Sequence, residues 1–465
     1  MNENNRLALP LLITVALFCS LAISFLGNMV IVFLVSALGI VIFFYLALTN
    51  LQVSLNIRPS LYEVVLFFLL FSGPPRFRSR DPMASLRGEI DWVVALNLII
   101  WGLGALWVFF KLLAALYSKR RIRLYGAESI ALLLAVSLAL SIPISISPLL
   151  SGFRVFQIVV MILFTHFWVR RFGIDVTIRL LLLSYIAIGI SIFIAAFWMP
   201  ELVYVPYGSG YRLRGDYIAN AGAIGAIGLI MLLSYPVLRP RWVLLILVPM
   251  FSFILLASRT RSAYAGLILF LILLLLRLPR IQSMRLVRYA LILSMPIIVI
   301  YHDSIFHFLI REEHSVSTLS DRTRVWQYLF SQVLGSSPLL GVGFATERVF
   351  TLQVNPGVGT AHGAFAAIFA GGGILAAITY IALLITLTLH AIKLFFVRNS
   401  EGFGLVSVFL AILTISVVSE ETVMATPTGF TFYLFVSLFP YALHFWRRRR
   451  YAHSSRPQPL SPTRR

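Results

Sequence analysis

Runs of about 17–25 apolar residues recur from one end of the 465-residue chain to the other, the length a helix needs to cross about 30 Å of hydrocarbon. In lipid every backbone N–H and C=O must be satisfied inside the protein, which leaves only helices and closed barrels. A barrel would alternate apolar and polar residues in segments of roughly ten, and the sequence shows no such alternation. The chain therefore reads as an all-α polytopic transmembrane bundle of about 12–14 helices. Only 12% of the residues are charged and 60% are hydrophobic, with mean hydropathy +0.93. Soluble domains carry about 25% charged residues, and no soluble domain, internal repeat or coiled coil stands out.

The runs fall near 7–27, 28–49, 60–73, 92–117, 127–146, 152–170, 177–199, 217–238, 241–257, 262–277, 284–301, 363–396, 403–419 and 427–446. Segment 60–73 is short for a crossing. Segment 363–396 is long for one, and Gly371-Gly372-Gly373 inside it predicts a short interfacial helix, a break and then a span. A single transmembrane domain is expected over 1–446, with a large extracytoplasmic loop at 302–362. The basic, Pro/Ser-rich tail over 447–465 is expected to be disordered. The first run has no strongly basic n-region and no small-residue cleavage site, so it is expected to be retained. The single Cys19 excludes a disulfide framework or a cysteine metal site.

The net charge of +21 orients the bundle rather than pointing to nucleic acid, because basic residues mark cytoplasmic loops. Lys119 to Arg123, Arg170-Arg171, Arg239 and Arg241, Arg277 to Arg288, and Arg447 to Arg450 can all face the cytoplasm, with both termini inside. Loops 200–216, 258–261, 302–362 and 420–426 then share the opposite face. Loop 74–91 fits poorly. Its Arg76, Arg78, Arg80 and Arg87 would lie outside, partly neutralised by Asp81, Glu89 and Asp91. If segment 60–73 does not cross, the N-terminus moves outside instead.

Three arginine-bearing motifs meet on that opposite face. They are Tyr211-Arg212-Leu213-Arg214-Gly215-Asp216-Tyr217 leading to Asn220, the tight junction Ser258-Arg259-Thr260-Arg261, and the long loop with Arg322, Arg324 and His362. A guanidinium is a planar, permanently charged fork that fits phosphate oxygens. A lone interfacial arginine more often snorkels to head groups. Arg259 has no spare loop length for that, and ionisable groups held at such depth tend to be functional. His362 sits where the loop re-enters the apolar run and titrates near neutrality, so it can serve as a general base or as a water-satisfied interfacial residue. His302, His307 and His314 lack ligand spacing. Asp303, Glu312-Glu313 and Glu420-Glu421 form no paired-carboxylate motif, so chemistry without a metal is expected. Gly341-Val342-Gly343 is a weak phosphate-loop signal whose simpler role is a turn after Pro338.

The stretch Leu319-Ser320-Asp321-Arg322-Thr323-Arg324-Val325-Trp326, through Pro338-Leu339-Leu340-Gly341-Val342-Gly343-Phe344, to Ala361-His362-Gly363-Ala364-Phe365 resembles the O-antigen ligase/polymerase family of bacterial membrane glycosyltransferases. Ser258-Arg259-Thr260, and Arg214-Gly215 followed by Asn220, are similar to two further family elements. Asp321 stands where the family has Gly, Gly363 where it has Asn, and Asn220 alone remains of an Asn-Pro-Asn element. The resemblance implies an enzyme of the bacterial inner membrane with its active face extracytoplasmic. The donor would be a glycan on a polyprenyl pyrophosphate and the acceptor a glycan or lipid-linked hydroxyl, in an inverting transfer within membrane lipid. It carries over Arg214 and Arg259 as pyrophosphate binders and His362 as base or positioner of the acceptor. Arg212, Arg261 and Arg322 follow as further substrate contacts. No metal, nucleotide sugar or other cofactor is implied. A transporter of a small anion or lipid-linked sugar is the competing reading, since many spans and buried arginines suit it, but repeated halves are not evident. An envelope scaffold would not require three motifs on one face.

Overall fold

The computed structural model describes residues 59–73, 87–119, 121–198, 200–207, 210–214, 220–235, 242–277, 322–354, 361–397, 400–419 and 423–454. Expected spans 7–27, 28–49 and 284–301, most of loop 74–91 and the far tail lie outside them. So do His302, Asp303, His307, Glu312, Glu313, His314, Gly215, Asp216, Asp321, Glu420 and Glu421. By contacts the chain falls into two units, Met1–Leu69 and Leu70–Arg465. The helix α1, Leu61–Ser72, runs through that boundary. Its 12 residues extend about 18 Å, well short of a bilayer core.

In its described residues the second unit is an all-α bundle with one small hairpin. Its elements are α2 (Trp92–Tyr117), α3 (Gly126–Ala139), α4 (Pro148–Trp198), α5 (Pro200–Val203), β1 (Tyr204–Tyr207), β2 (Gly210–Leu213) and α6 (Ala221–Ser234). There follow α7 (Trp242–Ser258), α8 (Arg261–Arg277), α9 (Arg322–Ser336), α10 (Arg348–Val354), α11 (Ala364–Phe396), α12 (Ser400–Ser416) and α13 (Pro427–Ser454). Among the described residues, four stretches are long and apolar enough to cross a membrane: Trp92–Tyr117, Gly126–Ile144, Pro148–Trp198 and Ala364–Phe396. Shorter apolar helices accompany them, α6, α8 and α12 among their hosts. The chain is a multi-pass membrane protein.

Two of the long helices are broken, each at a glycine. In α4, Gly173 leaves helical geometry at φ 77°. Thr165 before the break donates to the Tyr433 carbonyl (3.4 Å), and Tyr185 beyond it lies 2.9 Å from the Thr431 hydroxyl. Twenty residues of unbroken helix would separate Thr165 and Tyr185 by about 30 Å. Their partners are two residues apart on α13, so the chain turns back at Gly173 and the two runs expected at 152–170 and 177–199 flank α13. In α11 the break is at Gly373, φ 64°, inside the predicted triple glycine.

Two of the basic clusters meet. Arg170 donates to the carbonyl of Arg123, and its guanidinium lies 4.9 Å over the Tyr125 ring. Helix α13 continues through Arg447–Arg450 to Ser454, eight residues into the segment expected to be disordered. Arginine is a good helix former, so the apolar run sets no boundary there.

The far end depends on α6. Its glycines, at every third residue, let neighbours approach as no larger residue would. A Cβ at Gly222 would collide with Thr260, one at Gly225 would come within 2.8 Å of the Leu255 backbone nitrogen, and one at Gly228 would overlap the Phe251 ring. These approaches seat the end of α7 and the junction after it on the first turns of α6. Asn220 caps that same turn, accepting from Ala223 N–H at 3.2 Å.

Candidate active site

Each arginine motif is held by a different device. The first rides on the β1–β2 hairpin, in which Val205 pairs with Arg212 and Tyr204 with Leu213. Strand alternation puts Arg212 and Arg214 on one side and buried Leu213 on the other. Past the strand, Arg214 N–H donates to Val203 O (2.9 Å), and Arg214 O accepts from Ala221 N–H (3.2 Å). The hairpin thereby ends on the first turn of α6. An all-α expectation did not include it, although Tyr204-Val205-Pro206-Tyr207 and Tyr211-Arg212-Leu213 flanking Gly208-Ser209-Gly210 is a hairpin signal.

The second motif is a two-residue turn, Arg259-Thr260, between helices. Arg259 adopts φ 48°, a left-handed conformation that costs a side-chain-bearing residue roughly 1–2 kcal/mol. Arg259 N–H donates to Leu256 O (3.2 Å), and the Tyr264 hydroxyl reaches back across the junction to Leu255 O and Leu256 O (3.2 and 3.1 Å). The last carbonyls of α7 are thereby satisfied, as any buried helix end requires. Arg261 opens α8 with Nε and Nη2 buried and without a hydrogen-bond partner among the described residues.

The third motif is the most elaborate. Helix α9 starts at Arg322 and sets Trp326 one turn later. The Trp326 indole N–H donates to Ala361 O at 2.7 Å, fixing the peptide that leads into His362. His362 is again left-handed, φ 50°. Beneath it, Val325, Leu329 and Val333 pack with Ala361, Ala366, Ala367 and Ala370.

The Gly-rich segment is structural. Val342 N–H donates to Ala370 O (2.8 Å), Gly343 N–H to Gly371 O (3.1 Å), and Ile374 N–H to Pro338 O (2.9 Å). These bonds serve backbone groups around the break in α11, which is how irregular backbone is tolerated at membrane depth. Gly341-Val342-Gly343 is thus spent on the broken helix and not turned toward a phosphate.

Electrostatics tie the motifs together. Burial first, then the charges of Arg322, Arg214 and Arg212, push the His362 imidazole down from 6.5 to about 4. Burial, then Arg261 and Arg212, lower Arg322 as well. Arg212, Arg214 and Arg322 therefore form one cationic neighbourhood with an imidazole that is neutral at pH 7, and Arg261 joins it through Arg322. Arg259 is joined to it through the backbone: it precedes Thr260, which touches Gly222, and its charge acts on Tyr264. Arg324 falls on another side of α9, beside Gln327 and Tyr328.

Other residues at this end went unflagged in the sequence. Glu347 is buried; burial pushes its carboxyl up, against the pull of Arg348, of backbone N–H groups and of Arg154. With Ser151, which donates to Phe344 O at 2.9 Å, this group fastens the loop to α4. Nothing in the local sequence signals burial of a Glu-Arg pair after a glycine turn. Among the described residues, no three of His, Cys, Asp and Glu gather closely enough to hold a metal ion.

Residues 243–381 match the family model described as O-antigen ligase. No curated protein matches the chain. The matched stretch contains the Arg259 junction, Arg322, Trp326, His362 and the break in α11, while Arg212 and Arg214 lie upstream of it. Residues 243–381, the part of the chain that carries Arg259, Arg261, Arg322 and His362, are thus similar to the O-antigen ligase family.

Proposed function

We propose that the chain is a membrane glycosyltransferase that moves a glycan from a polyprenyl-pyrophosphate carrier to an acceptor hydroxyl on a glycan or lipid. The reaction is read as metal-independent and inverting, at the extracytoplasmic face of the bacterial inner membrane. The observation that carries this reading is the gathering of Arg212, Arg214 and Arg322 about the neutral imidazole of His362.

In the reaction envisaged, the acceptor oxygen attacks the anomeric carbon from the side opposite the diphosphate. The new C–O bond forms as the bond to the diphosphate oxygen breaks, and the diphosphate departs with the electron pair. His362 takes the acceptor proton, for which a neutral imidazole is required. Guanidinium groups of Arg214 and Arg259, supported by Arg212, Arg261 and Arg322, stabilise the charge growing on the leaving group. The test is transfer from a polyprenyl-pyrophosphate glycan by the purified chain in lipid, with candidate acceptors. His362→Ala and Arg214→Ala should lose transfer while still inserting and accumulating. Wild-type rates in both would remove the arginine–histidine centre from the mechanism. Loss of activity on adding a chelator would overturn the metal-independent reading.

A further inference from the structure

Arg123 and Arg170 form a cationic cluster that the proposed reaction does not use. Arg170 stands on the part of α4 that precedes the break at Gly173. From Ser151, which fastens the outer loop, the helix rises about 30 Å to Arg170, the depth of a hydrocarbon layer. Arg170 donates there to the Arg123 carbonyl, and its guanidinium lies over the Tyr125 ring. Its Nε is buried and without a hydrogen-bond partner among the described residues. Tyr125 is the N-cap of α3 and supplies no side-chain cap. The first N–H groups of a helix have no partner within it and make its positive end. An arginine is therefore held where a helix favours an anion. Between Tyr117 and Leu180 the chain has only the carboxylates Glu128 and Asp175. Glu128 is buried, accepts from Tyr125 N–H at 2.8 Å and lies 2.9 Å from His166 Nδ1. Among the described residues no carboxylate pairs with Arg123 or Arg170.

The segment leading into α3 narrows the anion to a lipid. Arg121-Ile122-Arg123-Leu124 alternates basic and apolar side chains, and all four are exposed. Exposed Phe110, Leu113, Leu116 and Tyr117 bring an apolar stripe down the last turns of α2 toward the same segment. Cationic heads beside apolar surface suit the head-group layer, where guanidiniums meet phosphates and the apolar groups meet acyl chains. A free phosphate would use the cations alone, whereas a phospholipid uses both surfaces. A zwitterionic head group would bring an ammonium up to Arg123 and Arg170, with Glu128 buried beneath them. An anionic head group carries no such penalty, and a helix start flanked by arginine is suited to its phosphate.

We propose that Arg123, Arg170 and the first turn of α3 bind the phosphate of an anionic phospholipid whose acyl chains lie along the end of α2. The lipid ties α3 to α4 whatever reaction the His362 centre performs. The full chain in neutral detergent is titrated with phosphatidylglycerol, with phosphatidylcholine and with inorganic phosphate, and followed by native mass spectrometry and thermal unfolding. Phosphatidylglycerol should bind and raise the unfolding midpoint, as a ligand of the folded state does. The other two should do neither at the same concentration. Arg123→Gln should bind phosphatidylglycerol about tenfold more weakly, the loss of one charge-assisted hydrogen bond. It keeps the carbonyl that Arg170 grips, so it decides the matter should Arg170→Gln unfold. Arg324→Gln removes the same charge elsewhere and should bind the lipid as the wild type does. Equal binding of phosphatidylcholine, or equal weakening in Arg324→Gln and Arg123→Gln, would leave only general contact with the membrane and overturn the site. Inorganic phosphate that stabilised the chain as well as phosphatidylglycerol does would overturn the lipid as its ligand.

Discussion

The indole N–H of Trp326 donates to the carbonyl oxygen of Ala361 at 2.7 Å, and the peptide it holds is the one that carries His362 into its left-handed turn. The Arg-x3-Trp spacing has a physical meaning here. One helical turn separates a residue whose charge acts on the imidazole from a residue that fixes the imidazole's backbone. Trp326→Phe keeps an aromatic ring against Gly363 and removes only the donor. Unfolding should become easier by about 1 kcal/mol, the worth of one hydrogen bond. Transfer should fall about 10–100-fold, because small misplacements of a reacting group are that costly. The thermal midpoint and kcat measured side by side check this; a wild-type kcat would show that the bond does not position His362.

Arg259 and His362 both hold positive φ, where glycine or asparagine sits with less strain. The strain makes structural and chemical roles separable. Arg259→Gly should leave thermal stability unchanged or raise it by up to about 1 kcal/mol, yet lower transfer by about 10²–10³ if its charge stabilises the leaving diphosphate. His362→Asn should also stay folded and lose about 10²–10⁴ of the rate. Differential scanning fluorimetry with a transfer assay resolves the two. Unfolding of Arg259→Gly with proportionate loss of activity would mean that Arg259 is only a helix terminator.

Burial and the surrounding guanidiniums hold His362 near 4. At neutral pH it is therefore uncharged and a weak base. A bound diphosphate cancels part of the positive field, which favours the imidazolium and raises the pKa. The acid limb of kcat/KM reports the free enzyme and that of kcat the substrate complex. The limb of kcat/KM should lie near pH 4 and that of kcat at higher pH, since activity needs the neutral ring and is lost as pH falls through its pKa. Arg214→Gln removes one of the repelling charges and should move the kcat/KM limb upward. Superimposed limbs, unmoved by Arg214→Gln, would separate His362 from the titration.

Much of this architecture is legible in the sequence because lipid demands it. Runs at 92–117, 262–277 and 363–396 became helices within a residue or so of their apolar limits, and Gly373 broke the last of them. Counting spans between basic clusters puts the motifs of Arg212, Arg214 and Arg322 on one face, but does not bring them to the same imidazole. What stayed hidden depends on partners distant in sequence. The Gly341–Gly343 segment reads locally as a turn, and only the broken backbone at Gly371–Gly373 explains it. Glu347 reads as a loop carboxylate until Arg154, nearly two hundred positions earlier, is folded beside it. The β1–β2 hairpin was missed for a different reason: its signal is short and lies in a chain dominated by helical spans.

The approach of α7 to α6 gives a last test, because it links a packing detail to the arginines. Gly222 faces Thr260, the residue between Arg259 and Arg261, with no room for a methyl group. Gly222→Val must push the junction outward from the turn that Asn220 caps and that Arg214 holds through Ala221. Overpacking of this kind costs about 1–3 kcal/mol, and the displacement moves two guanidiniums at once. The variant should show a lower unfolding midpoint and a larger proportional loss of transfer, with KM for the lipid-linked donor raised. Gly102 in α2 has open space where its Cβ would stand, so Gly102→Ala should insert normally and transfer at the wild-type rate. If Gly222→Val matched Gly102→Ala in both measurements, the α6–α7 contact would not set the position of Arg259 and Arg261.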